Sequence, residues 1–142
     1  MKGNISFLMI VGAGLALAGC NKAESPSEVR QDVAEAQAEA HRDVADAQAD
    51  AAEQMADAQK DVVDAQNDND ADDVADQARD ASETAAQGDF KVAVARAEAT
   101  HKIATEKCEA LQGSAQADCK SRADADLDNA KRAAEARRDG AG

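Results

Sequence analysis

The feature that most constrains the fold is a repeat rich in alanine, aspartate and glutamine between residues 32 and 66. The hexapeptide DVAEAQ at 32–37 recurs as DVADAQ at 43–48 and as QMADAQ at 54–59, each time after 11 residues, and then as DVVDAQ at 61–66 after 7. A period of 11 residues corresponds to about 3.67 residues per turn, so successive copies return to the same face of an α-helix. The repeat therefore predicts a long helix with one continuous apolar stripe.

Most side chains of this stripe are small. Its members are Val33, Ala36, Ala40, Val44, Ala47, Ala51, Met55, Ala58, Val62 and Ala65. Alanine buries little apolar area, so packing stabilises such a helix only weakly. The larger members, Val33, Val44, Met55 and Val62, predict a self-association stripe that forms a thin coiled coil between copies of the chain. The alternative is a helix that forms only under favourable conditions.

The rest of the composition also argues against a large packed core. Beyond residue 19 the chain has a single aromatic residue, Phe90, whereas alanine, glutamate, glutamine, lysine and arginine are abundant. These are the best helix formers, so the expected fold is all-α with little globular core.

Residues 21–88 carry 19 acidic and 5 basic side chains, a balance of −14. This charge repels nucleic acid, which we therefore exclude as a partner.

The N-terminus has the organisation of a secretory signal. Lys2 precedes an apolar run at 5–16 that is too short to span a bilayer, and the run leads into the sequence Leu-Ala-Gly-Cys at 17–20. This sequence resembles the lipobox of bacterial lipoproteins. The resemblance implies removal of a signal peptide at 1–19 and acylation of Cys20, for example with palmitate, so that lipid holds the protein on a membrane. Asn21, in place of aspartate, implies an outer-membrane lipoprotein that faces the periplasm.

Local signals divide the remaining chain. Ser25, Pro26 and Glu28 form the pattern of a helix N-terminus with a capping box. Dense aspartate and asparagine at 67–73 predict an interruption, and Gly88 predicts a helix C-terminus. The expected divisions are a lipidated tether at 20–26, an acidic helical arm at 27–87, a helical hairpin at 89–138 and a flexible tail at 139–142.

The hairpin is predicted from two further apolar stripes and a break between them. The first stripe contains Phe90, Val94, Ala97, Ala104, Cys108 and Leu111, with His101 in line, and the second contains Cys119, Ala123, Leu127, Ala130 and Ala134. Gly113 and Ser114 separate the stripes and form the expected hairpin turn, in which Gly113 closes one helix and Ser114 caps the next.

The cysteines test this arrangement. On one continuous helix Cys108 and Cys119 would lie about 16 Å apart, whereas a disulfide requires Cα atoms within roughly 7 Å. An antiparallel hairpin that turns midway between them, at Gly113 and Ser114, places them opposite each other. The spacing and an oxidising periplasm therefore favour a Cys108–Cys119 disulfide. Two unpaired buried thiols are the alternative.

The same segment resembles a known group of proteins. Phe-Lys-Val-Ala at 90–93, the sequence KCEALQGSA at 107–115 and the following Cys119 are similar to small alanine-rich envelope proteins of proteobacteria. Their shared pattern is Cys-acidic-Ala-Leu-x-Gly-x-Ala-x-x-x-Cys. The resemblance implies a helical architecture and an envelope location, and it supplies no catalytic residue.

No sequence pattern indicates a catalytic site, a cofactor or a metal site. His41 and His101 are not spaced as a ligand cluster, and the serines lack the setting of a nucleophile. We therefore expect a lipid-anchored structural or interaction protein of the cell envelope, a periplasmic helical rod or spacer, and not an enzyme.

This plan resembles that of the murein lipoprotein. Because the sequence ends without the C-terminal lysine used there for covalent attachment, we expect any contact with peptidoglycan or an envelope protein to be noncovalent. The alternative function is stress protection, since the 11-residue repeat resembles that of the late-embryogenesis-abundant proteins, which are hydrophilins.

Overall fold

The structure is a computed structural model that describes residues 23–68 and 71–140. It contains three helices, α1 at Pro26–Asp68, α2 at Ala71–Cys108 and α3 at Gly113–Asp139, and the described residues form no strand. The all-α class is confirmed. The predicted signal peptide and the lipidation residue Cys20 lie outside the described residues, as do the last two residues of the tail.

The predicted capping box starts α1. The backbone N–H of Ser25 donates to Oε2 of Glu28 at 2.9 Å, and the backbone N–H of Glu28 donates to Oγ of Ser25 at 3.3 Å. Pro26 is the first residue of the helix, where its missing N–H leaves no intrahelical bond unmade. The start of the helix is therefore fixed by local side chains.

Within the predicted interruption at 67–73, α1 ends at Asp68 and α2 begins at Ala71. The two helices pack against each other in antiparallel orientation. Lys91 on α2 donates to Oε1 of Gln54 on α1 at 3.2 Å, and Lys102 forms an ion pair with Glu39. The acidic arm is therefore folded back on the following helix and does not continue as a single rod.

The prediction of a helix end at Gly88 is wrong, and so is the prediction of a new helix start at Asp89. Gly88 is a buried residue in the interior of α2. A Cβ atom at this position would lie 3.1 Å from the Cβ of Ala51 on α1. Glycine here permits a close approach of two helix backbones, and tertiary packing outweighs its weak helix propensity. The predicted boundary between arm and hairpin thus lies inside α2.

The predicted hairpin is formed by α2 and α3. Ala97 and Ala104 on α2 line the same groove as Ala123 and Ala130 on α3, which is the register expected from the midpoint between the cysteines. Among the described helices, α3 packs only on α2 and not on α1. The central helix α2 is therefore covered on two sides, and the three helices form an open layer instead of a closed bundle.

Small side chains make up the core of this layer. The buried apolar residues of the described chain are Ala36, Ala40, Ala65, Cys108, Ala123 and Ala134. Each buries little area, so the hydrophobic contribution per residue is small. The stability of the layer therefore depends on the close approach of the helices, on their backbone hydrogen bonds and on the disulfide.

Candidate functional site: the disulfide-closed end

A disulfide joins α2 to α3 at one end of the molecule. Cys108 is the last residue of α2, and its Cα atom lies 5.7 Å from that of Cys119 on α3. The sulfur-bearing side chain of Cys108 is fully buried. The cross-link predicted from spacing is thus present, and it closes the turn at 109–112. We call these residues and the first two turns of α3 the disulfide-closed end.

The turn itself differs in detail from the prediction. Leu111 donates its backbone N–H to the carbonyl of Cys108 at 3.0 Å, so α2 ends in a tight turn. Gly113 then adopts a φ of +57°, a left-handed conformation that favours glycine. The N-cap of α3 is Gln112, without a side-chain hydrogen bond, and the predicted cap at Ser114 is wrong. The chain completes its reversal before Ser114, which lies inside the first turn of α3.

The segment that precedes α1 contacts this end of the molecule. The backbone N–H of Glu24 donates to the carbonyl of Glu109, next to Cys108, at 3.1 Å. Cys20 is four residues before Glu24, and an extended chain spans at most about 3.6 Å per residue. The predicted lipidation site therefore lies within about 14 Å of the docked Glu24, because chain length alone limits the separation.

Carboxylates from two helices surround the side chain of Glu24. Its Oε2 atom is buried without a hydrogen-bond partner in the described structure. Burial, and then the nearby charges of Asp32, Glu109 and Glu106, raise the pKa of Glu24 above its ordinary value. Protonation of Glu24 thus relieves repulsion at the point where the tether docks.

Polar contacts from α3 partly neutralise this cluster. Lys120 forms an ion pair with Glu109, and this hydrogen bond raises the pKa of the Lys120 ammonium group. The side-chain amide of Gln116, which is buried, donates to Oε2 of Glu109 at 2.6 Å. Glu109 therefore connects the tether, the end of α2 and the beginning of α3.

The predicted self-association stripe faces α2 in the structure. Val33, Val44, Met55 and Val62 are all half-buried. Val44 lines a groove together with Ile103 of α2. The structure therefore provides a partner for this stripe within the same chain.

The partner face on α2 was not identified from the sequence. Ala95, Ala99 and Ile103 recur at intervals of four residues and continue the face that begins at Gly88. This spacing, on the side of α2 opposite the Phe90 stripe, is the sequence signal from which the second apolar face could be predicted. A helix with apolar residues on two opposite faces is typical of a central helix.

A further polar contact joins α2 to α3. Nε2 of His101 on α2 lies 2.7 Å from Oδ1 of Asp124 on α3 and joins the two helices. Within residues 23–68 and 71–140, no group of three or more His, Cys, Asp or Glu side chains is placed to hold a metal ion. No helix in this part of the chain is both long and apolar enough to cross a membrane.

No known protein family, curated protein or solved structure matches this chain. The function is therefore inferred from its residues and their geometry.

Proposed function

We propose that this chain is a lipid-anchored structural protein of the bacterial cell envelope, in which a narrow helical layer acts as a spacer above the membrane. The lipobox resemblance around Cys20 supports the anchor. The residue after Cys20 is Asn21 and not an aspartate, which favours the outer membrane. The helical layer supplies the spacer. Peptidoglycan or an envelope protein is the proposed partner.

The observation that carries this proposal is the hydrogen bond between Glu24 and Glu109. It holds Glu24 at the disulfide-closed end, which supports anchoring there, since an acyl group on Cys20, four residues earlier, would be attached at one end of the layer and not midway along it. All three helices then extend away from the same end. Anchoring at an end is what a spacer requires.

The folded arm sets the length of the spacer. The 43 residues of α1 correspond to about 65 Å at 1.5 Å per residue. α3 has 27 residues and covers only the part of α2 nearer the disulfide. The layer thus has three helices close to the proposed anchor and two helices beyond it, up to Asp68 at the end of α1 and Ala71 at the start of α2.

The anchor is tested with the full chain and its Cys20→Ser variant, expressed in a Gram-negative host with radiolabelled palmitate. We expect label and membrane flotation for the full chain and neither for the variant. A Cys108→Ser/Cys119→Ser variant is the matched control, because it removes thiols but retains the lipobox. Equal membrane association of the full chain and Cys20→Ser would contradict the lipid anchor.

Stress protection stays the second candidate, because one structural feature favours it. Every buried apolar side chain of the described core is alanine or cysteine, which gives a marginally stable layer. Far-UV circular dichroism across a range of protein concentrations separates the two functions. Stable helicity in dilute buffer supports the spacer, whereas helicity that appears only on drying or with lipid supports stress protection.

A further inference from the structure

A groove between α2 and α3 lies at the end of α3 farther from the disulfide. It encloses about 300 Å³ and has a floor of Phe90, Val92, Ala93 and Ala134, of which Ala134 is buried. Phe90 is the single aromatic residue beyond the predicted signal. The groove therefore combines a concave shape with an aromatic side chain.

The residues that line the groove also include three arginines, Arg96, Arg137 and Arg138, and one acidic residue, Asp89. Arg138 is already engaged, since its guanidinium carbon lies 4.6 Å from the centre of the Phe90 ring and it pairs with Asp139. Arg96 and Arg137 are exposed and have no ion pair with any residue that the structure describes. Arg96 and Arg137 are thus two exposed cations beside the apolar lining, against the single acidic residue Asp89, in a chain of net charge −13.

The complementary surface is present on the same chain. A row of exposed carboxylates runs along α1 at intervals of three and four residues, which places them on one face of the helix. Its members are Asp43, Asp46, Asp50, Glu53 and Asp57, and none forms an ion pair within the described residues. We call this set the acid row.

The groove and the acid row lie at the same level along the layer. Gly88 on α2 is beside Ala51 on α1, and Lys91 reaches Gln54. The α2 residues of the groove, at 86–96, are therefore level with α1 residues near 43–53. In two copies that stand side by side with the same orientation, the groove of one copy is therefore at the level of the acid row of the other.

We propose that the arginine-bordered groove binds the acid row of a second copy of this chain, so that anchored copies associate side by side. The groove and the acid row are different surfaces, so each copy can use both and the contact can continue from copy to copy. The parallel orientation of the copies rests on the proposed lipid anchor. The half-buried stripe of α1 is not required, since α2 covers it.

The level of the groove argues against a lipid headgroup as its occupant. Phe90 is 18 residues from Cys108, which corresponds to about 27 Å along α2. A headgroup of the membrane that holds Cys20 would lie near the disulfide-closed end, at the far end of α2 from Phe90. A second copy, in contrast, presents five carboxylates at the required level.

Charge reversal tests the pairing. The full lipidated chain, bound to phosphatidylcholine vesicles, is treated with an amine-reactive cross-linker at about 0.1 M and about 1 M salt, between which the Debye length falls from about 10 Å to about 3 Å. We expect a ladder of oligomers that is lost at high salt. Arg137→Glu and Asp50→Arg should each reduce cross-linking at least tenfold. Mixing these two variants restores opposite charges at the contact and should restore the ladder.

Two variants on α3 serve as matched controls. Arg122→Glu and Asp128→Arg change the net charge equally but lie outside the groove and the acid row, and we expect them to cross-link like the unaltered chain. The proposal is overturned if all variants cross-link equally, if the mixture does not recover, or if the unaltered chain stays monomeric on the vesicles.

Flotation of the same vesicles distinguishes this result from a failure of the anchor. Flotation without oligomers overturns the groove contact and leaves the anchor intact. If the chain does not float, the anchor fails. Sedimentation velocity of the unaltered chain and the two variants then tests the contact between the groove and the acid row. The contact requires that the unaltered chain associates at low salt and that mixing the two variants restores this association.

Discussion

Reduction of the Cys108–Cys119 disulfide is expected to release α3 from α2. Within the described structure α3 packs on no other helix, and its buried apolar side chains are the alanines Ala123 and Ala134. The ion pair of Lys131 with Glu98 is largely exposed. Such pairs contribute about 0 to 1 kcal/mol each, so they cannot substitute for the cross-link.

The sequence separation of the cysteines gives the magnitude. The two residues are 11 positions apart. In the chain-entropy description, closing a loop of this length lowers the entropy of the unfolded chain enough to contribute about 2.8 kcal/mol at 25 °C. Loss of that contribution changes the equilibrium for docking of α3 about a hundredfold, since each 1.4 kcal/mol is a factor of ten.

The assay is thermal unfolding followed by far-UV circular dichroism, with and without reductant. Because the loss falls on α3, reduction should lower the Tm of the transition that unfolds α3, while the transition of α1 and α2 shifts less. Hydrogen exchange adds a local measurement, because amides of α3 should lose protection while those in the pairing of α1 with α2 retain it. The Cys108→Ser/Cys119→Ser variant should behave like the reduced chain and be insensitive to reductant.

An unchanged Tm on reduction would refute this reasoning. So would uniform loss of protection in all three helices, because α3 would then be required for the packing of α1 on α2. The distribution of protection matters as much as the change in Tm.

Three further variants test the other contacts. Gly88→Leu should lower stability by about 1–3 kcal/mol in urea unfolding, because the added side chain collides with Ala51, whereas Gly88→Ala should be nearly neutral, since better helix propensity offsets a tight methyl contact. Burial and neighbouring carboxylates raise the pKa of docked Glu24, so docking is fully favoured below its ordinary pKa and weakens as the pH rises through the raised value. Glu24→Gln should abolish this dependence in exchange measurements of the residue-24 amide. Ser25→Ala removes the cap that pairs with Glu28 and should destabilise α1 by about 1 kcal/mol.

Each of these variants has a contradicting result. Equal stability of Gly88→Leu and Gly88→Ala would mean that the two helices do not approach closely there. Protection of the residue-24 amide that increases with pH would reverse the sign of the Glu24 effect. Unaltered exchange in the first turn of α1 after Ser25→Ala would show that the capping box does not fix the helix start.

The features that could be predicted from the sequence are those set by local chemistry or by symmetric spacing. The capping box at Ser25 and Glu28 depends on residues three apart. The interruption at 67–73 follows from residues that disfavour helices. The pairing of Cys108 with Cys119 follows from a turn midway between them, although the turn ends at Gly113 and does not use Ser114 as a cap.

The features that could not be predicted depend on distant parts of the chain. Gly88 has the local signature of a helix end, and only its position beside Ala51 explains why α2 continues through it. The stripe of α1 indicates that a partner is needed without specifying whether that partner lies on another copy or on the same chain. Ala99 and Ile103 supply that partner after the chain reverses. The groove lined by Arg137 contains residues of both α2 and α3, so it exists only once α3 packs on α2.

Neutron reflectometry of the lipidated chain on a supported bilayer tests most directly whether it stands as a spacer. An upright molecule predicts a protein layer about 65 Å thick, from 43 residues of α1 at 1.5 Å each. Deleting residues 55–65 and 74–84 removes 11 residues from each of the two paired helices and should thin the layer by about 16 Å. A layer of about 10–25 Å, unchanged by the deletion, would show that the helices lie flat on the membrane and would contradict the spacer.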